Sequence, residues 1–289
     1  MFVFHKSAGR LRTCCRVVPL ALSLAIASLP LTAAASDRKT AENPLQDAGS
    51  WSELREDIIG NVLPAPAAGI IDLEAPYRAD DAATVPVRIR QPSPNAPAVD
   101  RAFLIIDENP APVAAEITFG EAMHPLDMEL RIRVNQYSNV RVVAETGSGP
   151  VMAGRFVKAS GGCSAPASKS AELALSQMGQ IRARHFAPEV ENASTRREAQ
   201  VMIRHPNYSG LQRDQVTQLF ISAHFINFIE VKQGNDTLFT LEGGISLSEN
   251  PVIRFAYTDN GSDDLRIHAE DTEGNVWEQV IPKGKGDTI

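Results

Sequence analysis

The stretch Gly69–Arg90, GIIDLEAPYRADDAATVPVRIR, sets the fold. Ile71 and Leu73, then Val85, Val87 and Ile89, alternate with other residues, the two-residue period of strands with one face turned to a core. Arg78-Ala79-Asp80-Asp81 between them is a turn signal. Outward in the C-terminal direction, Phe103–Asp107, Ala114–Phe119, Leu126–Val134, Asn139–Ala144 and Val151–Lys158 read as further strands. Turn clusters separate them at Pro92-Ser93-Pro94-Asn95, Asn109-Pro110 and Gly147-Ser148-Gly149-Pro150. About seven short strands at this spacing predict an antiparallel, immunoglobulin-like β-sandwich, although the Cys…Trp…Cys signature of true immunoglobulin domains is absent. In the N-terminal direction Trp51–Asn61 has a helical pattern, with Trp51, Leu54, Ile58 and Ile59 on one face and Ser50 or Ser52 placed to cap its start.

Beyond a small-residue break at Ser160–Pro166, Ser168–His185 reads as a helix whose Ala171, Ala174, Leu175, Met178 and Arg182 share a face, with Gly179 as its weak point. A second strand-rich block follows: Gln200–Arg204, Leu219–Val231, Thr237–Leu241, Val252–Thr258, Leu265–Ala269 and Val276–Val280. Asp259-Asn260-Gly261 and Glu273-Gly274-Asn275 have hairpin-turn chemistry. The expected fold is therefore all-β. It has two immunoglobulin-like antiparallel β-sandwich domains (51–160 and 191–289), a short N-terminal helix, and a partly helical interdomain linker (161–190) bearing a cysteine.

The first 35 residues read as a signal peptide: Lys6, Arg10, Arg12 and Arg16, then an apolar run from Val17 to Leu31, then small residues with cleavage expected after Ala35. A polar leader expected to be disordered, 36–50, follows. The implied location is the periplasm. Taking the four basic residues of the signal segment from 28 basic against 35 acidic leaves a balance of −11. That acidity argues against nucleic-acid partners and against an anionic membrane surface. No second long apolar stretch occurs, so no membrane insertion is expected. Cys14 and Cys15 leave with the signal peptide, so Cys163 is the single remaining thiol and no intramolecular disulfide can form.

Cys163 sits in Lys158-Ala159-Ser160-Gly161-Gly162-Cys163-Ser164-Ala165-Pro166, without a bulky neighbour. Gly161 and Gly162 open backbone conformations closed to other residues, so the expected element is a flexible arm presenting a thiol. Arg155, Lys158, Lys169 and the start of the following helix are placed to favour thiolate, the form that attacks disulfide or sulfane sulfur. From these residues alone, a Gly-rich linker with an incidental cysteine is an equally good reading.

The chain resembles a fusion of SoxY and SoxZ, the two subunits of the sulfur carrier of bacterial thiosulfate oxidation. It is especially similar to the fused SoxYZ-like carriers associated with quinoprotein dehydrogenases. The SoxY-like features are the N-terminal helix, Ala75-Pro76, Val85-Pro86-Val87, Asn109-Pro110 and Gly161-Gly162-Cys163. The SoxZ-like features, in order, are His205-Pro206-Asn207-Tyr208-Ser209-Gly210-Leu211, Ala223-His224-Phe225-Ile226, Gly244-Ile245-Ser246, Glu249-Asn250-Pro251 and Asp271-Thr272-Glu273-Gly274. The resemblance implies a covalent sulfur adduct on Cys163. It also implies c-type cytochromes, hydrolases of sulfur oxidation and a quinoprotein dehydrogenase as partners, no cofactor, and no catalysis by the chain itself. Two departures stand out: Ser164-Ala165 replace the glycines that follow the cysteine in SoxY, and the arm continues into a second domain instead of ending.

Other chemistry finds little support in the pattern. His124, His185, His205, His224 and His268 are scattered, with no HExxH or CxxC, so no metal site is expected. His224 reads as a strand histidine of the core or an interface, and His205-Pro206 as a strand-to-loop turn. No G-x-S-x-G elbow, P-loop or dinucleotide fingerprint is present. The alternative to a carrier is a non-covalent accessory sandwich that docks on a periplasmic quinoprotein dehydrogenase or cytochrome.

Overall fold

The computed structural model describes residues 44–166, 171–186 and 195–283. Residues 1–35, read as a signal peptide, and residues 36–43 of the expected leader lie outside the described residues. A helix, α1 (Ser50–Ile59), precedes strands β1 (Ala65–Pro66), β2 (Asp72–Glu74), β3 (Val85–Arg90), β4 (Val99–Ile106), β5 (Val113–Phe119), β6 (Asp127–Ile132), β7 (Ser138–Thr146) and β8 (Gly149–Val157). After the cysteine segment come helix α2 (Ala171–Ser176) and strands β9 (Ile181–Phe186), β10 (Arg196–Ile203), β11 (Ile226–Gln233), β12 (Asp236–Gly243), β13 (Val252–Thr258), β14 (Asp264–Asp271) and β15 (Val276–Pro282).

The fold is all-β, as the alternation at Gly69–Arg90 implies, and the two halves share their sheets. One sheet runs β1-β8-β7-β4-β5-β12-β11-β14-β15 and the other β2-β3-β6-β13-β10-β9. The halves meet in both. β5 pairs antiparallel with β12 from Phe119↔Phe239 to Ala115↔Gly243, and β6 pairs with β13 at Glu129↔Arg254 and Met128↔Phe255. Each half thus closes an open strand edge of the other. One buried core runs through both, from Ala67, Leu73 and Val85 to Ile253, Ile267 and Ala269.

In β4 the run Phe103-Leu104-Ile105-Ile106 is apolar at every position because both of its faces are covered. Ala102, Leu104 and Ile106 point into the main core, whereas Phe103 and Ile105 join Trp51, Val143 and Met152 in a second cluster on the outer face. Helix α1 lies on that face with Trp51 fully buried and Leu54, Ile58 and Ile59 against it. Neither Ser50 nor Ser52 caps α1. Gly49 is the N-cap, and the Ser52 hydroxyl donates to the Gly49 carbonyl at 2.9 Å. Below Trp51, buried Arg141 stacks on the indole 4.6 Å from the ring centre and binds Asp107 through both Nε and Nη2.

The linker departs from the helical reading of 168–185. Helix α2 is short, and Gly179 (φ +80°) ends the helical path, where an added Cβ would overlap the Trp277 indole. Ile181–Phe186 then pairs with β10 as an outer strand, so the second sandwich begins inside the segment read as linker. The run Leu219–Val231 also splits: only Ile226 onward is strand, and Leu219 and Phe220 stand exposed in the preceding loop.

Candidate functional site

The chain leaves β8 at Val157 and runs along the seam between the halves. Gly161 N–H donates to Asn135 O at 2.9 Å and Gly162 N–H to Val134 O at 3.0 Å. Gly161 adopts φ +81°, a left-handed conformation that glycine takes without steric cost. Gly162 is required for space instead: an added Cβ would overlap the Ala82 carbonyl and lie 2.8 Å from the Val134 nitrogen. Cys163 follows with no exposed surface. The second half holds it from the other side. Ser209 Oγ donates to the Cys163 carbonyl, and Gln212 Nε2 donates to Ala165 O at 2.8 Å. The expected free arm is therefore docked here. The two glycines let the backbone press close against β6 and its continuation, and backbone hydrogen bonds take up the freedom they would otherwise give.

Burial pushes the Cys163 thiol above its ordinary value, and the positive charge of Arg133 pulls against that shift. Arg133 directly follows β6 and is itself buried. Its Nη1 donates to the carbonyls of Leu247 (2.6 Å) and Ile245 (3.2 Å), both from the second half. Among the described residues, the cation that acts on Cys163 is thus this arginine, 30 positions earlier in the chain. Lys158, expected from the sequence to act on the thiol, instead has its ammonium over the rings of Tyr77 and Phe156. Lys169 lies outside the described residues.

The seam around Arg133 is tied by motif residues. Asn109 Nδ2 donates to Arg133 O (2.7 Å) and Ser246 Oγ (2.9 Å), and its Oδ1 accepts from Asn135 N–H (2.8 Å). Ser246 Oγ in turn donates to Ala111 O at 2.8 Å. Asn109-Pro110 and Gly244-Ile245-Ser246 therefore meet across the halves and fix the strand end from which Arg133 projects.

A second cluster orders the Ser209 loop. Asp271 Oδ2 receives His224 Nε2 (2.6 Å), His205 Nε2 (3.3 Å) and Asn275 Nδ2 (2.8 Å), while Oδ1 receives the backbone N–H of Glu273 and Asn275. Burial alone would raise Asp271, but the donors from Asn275, His224 and His205 hold it down to about 2. Burial depresses His205 to about 4, so its ring is neutral near pH 7. The ligand atoms of His205, His224 and Asp271 lie within 4.8 Å of one another, a spacing that metal sites also use. The hydrogen bonds point elsewhere. His205 Nδ1 accepts from Asn207 N–H at 3.0 Å, so Nε2 must carry the ring hydrogen and donate to Asp271, leaving no lone pair there for a cation. Separation along the chain hides this His pair from a motif scan. His224 is not inside a strand: it precedes β11 and is bridged to Tyr208, next to Ser209.

Comparisons with known proteins bear on the whole arrangement. The family model for "Sulfur oxidation protein SoxY" matches residues 55–163, and that for "Sulphur oxidation protein SoxZ" matches 185–282. The solved structure of the sulfur carrier protein SoxY from Chlorobium limicola f thiosulfatophilum is similar over 43% of this chain and 98% of its own, at 24% identity and a TM-score of 0.33. No curated protein matches. The two family matches follow one another without overlap and cover both sandwiches, the first ending on Cys163: the chain belongs to the SoxY and SoxZ families of sulfur oxidation proteins, carrying a SoxY domain and then a SoxZ domain in one polypeptide.

Proposed function

We propose that this protein is a periplasmic carrier of sulfur compounds that holds a covalent sulfur adduct on Cys163 for partner enzymes of a Sox-type oxidation pathway. The observation that carries the reading is positional. The SoxY match ends on Cys163, the chain's only thiol beyond the signal segment, and residues of the SoxZ match grip that cysteine from the opposite side. A carrier needs no general acid or base of its own, because its partners do the chemistry. Exchange of Cys163 thiolate with a polysulfide transfers sulfur through an S–S bond and releases a shorter polysulfide. Joining thiosulfate to the thiol is a two-electron oxidation, which requires an electron-accepting partner such as a c-type cytochrome. In either case the docked segment must open, since Cys163 is enclosed.

Intact mass of the protein isolated from its native compartment without reductant, before and after reduction, tests this reading. A reducible adduct of sulfur-species mass on Cys163 is expected. An unmodified thiol that stays unmodified with polysulfide, or with thiosulfate and a cytochrome partner, overturns it. One observation favours the docking-module alternative. The loop between Gln212 and Ala223 displays Val216, Leu219 and Phe220 at 91%, 70% and 61% exposure, an apolar tip on a loop that starts at Gln212, whose side chain binds the Ala165 carbonyl. Retention of full pathway function by Cys163→Ser would decide for that alternative.

A further inference from the structure

Arg133 carries a charge for which the described residues provide no ion pair. Its side chain is buried, with 1% of the residue exposed, and no carboxylate lies within ion-pair distance among the described residues. Carbonyls of Ile245 and Leu247 satisfy Nη1, whereas Nε is buried without an acceptor among the described residues. A buried guanidinium in this state is costly, and folds keep such groups where an anion repays them. Tyr208, beside Ser209 in the loop that grips Cys163, likewise buries a hydroxyl that has no partner among the described residues.

The backbone brings the cysteine segment alongside Arg133. Gly162 N–H donates to Val134 O, so the residue before the cysteine is bonded to the residue after the arginine. We infer that Arg133 is the counter-ion of Cys163, binding the negative charge of its thiolate within the seam and so holding the sulfur in its nucleophilic form until the segment opens. This rests on the carrier reading for its purpose, though not for its test. Among the described residues, two groups bear electrostatically on Arg133: the Cys163 sulfur and the half-buried carboxylate of Glu249, which accepts from Asn250 Nδ2 at 3.1 Å. Glu249 is therefore the competitor for the same cation. On ionisation Cys163 Sγ gives its proton to water. In the assay below, the sulfur's electron pair forms an S–C bond as iodide leaves.

The test is the pH profile of Cys163 alkylation by iodoacetamide in the full mature chain, compared across wild type, Arg133→Lys, Arg133→Met and Glu249→Gln. The expected result is an upward move of the thiol midpoint by about one pH unit in Arg133→Met. A position near wild type is expected in Arg133→Lys, which keeps the charge, and a downward move in Glu249→Gln. A midpoint in Arg133→Met that is unchanged, or that falls because the seam has loosened and exposed the thiol, overturns the proposal, as does an equal change in Arg133→Lys. Near-ultraviolet circular dichroism of each variant identifies loosening. The carrier reading fails separately, on the absence of a sulfur adduct, whatever these midpoints show.

Discussion

Ser209 bears directly on whether Cys163 stays docked, because its hydroxyl donates to the Cys163 carbonyl while accepting from Leu211 N–H. In Ser209→Ala that bond is lost at a net cost of about 1 kcal/mol, which raises the open population roughly fivefold. Labelling of Cys163 by a bulky disulfide reagent should accelerate by about that factor, and an unchanged rate would mean that the hydroxyl does not hold the segment. Gly161-Gly162-Cys163 is also where sequence reading met its limit. A diglycine before a thiol is legible as a special backbone, but freedom and close packing use the same residue. Only the positions of Ala82 and Val134, far off in the chain, decide for packing at Gly162. The same holds for Arg133 and for the His205–His224–Asp271 cluster, whose members meet only through the fold. That cluster makes stability depend on pH. His205 has a folded value of about 4 against an ordinary 6.5, so the unfolded chain binds the proton more readily, and stability present above pH 6.5 is lost as pH falls towards 4. The loss attributable to it is on the order of 3 kcal/mol. Asp271, at about 2 against 3.8, adds a further loss in the same direction below about pH 3.8. Urea midpoints measured between pH 7 and 4 should fall, and should fall less steeply in His205→Gln. Parallel slopes for the two proteins would exclude His205 as the cause.

At the scale of elements, most strands could be read from period and turn chemistry because their cores are local alternations: Val85, Val87 and Ile89 in β3 face inward as the pattern indicates. Strand β9 could not. Its IRARHF pattern is half-buried on one face and exposed on the other, and it follows residues with good helical spacing. What separates α2 from β9 is Gly179, whose positive φ and contact with Trp277 depend on β15. Helix α1 was legible from its apolar stripe, and the structure adds what the stripe covers. Trp51 is 1% exposed between α1 and the outer face of β4 and β7, with Arg141 beneath it. Replacing it in Trp51→Ala should cost about 3–5 kcal/mol, the range for a large buried aromatic. Chemical denaturation of the variant should show this as a lowered midpoint with strand content retained at zero denaturant. A loss below 1 kcal/mol would mean that α1 is not anchored by this side chain.

At the scale of the whole molecule, the feature with the widest consequence is that neither half owns a complete pair of sheets. β5 and β12 cover each other's open edge in one layer, and β6 and β13 do so in the other. Asn109, Arg133, Ile245, Ser246 and Leu247 then tie the layers together with buried hydrogen bonds. Pulling the halves apart would expose strand edges and leave the Arg133 guanidinium and Asn109 amide without these partners, a state that buried polar groups and open edges both disfavour. The cysteine segment spans the same seam, held by the first half through Gly161 and Gly162 and by the second through Ser209 and Gln212. Docking of Cys163 should therefore require the two halves to be assembled. Produced as separate chains covering 44–166 and 171–283, the halves are expected to recombine into a one-to-one complex with Cys163 protected, while the first half alone presents a thiol that labels freely. Size-exclusion chromatography with light scattering gives the stoichiometry, and labelling kinetics before and after mixing give the protection. Two stable monomers that ignore each other would show that the shared sheets are not what holds the molecule together, whereas association without protection would place the grip on Cys163 elsewhere than at Ser209 and Gln212.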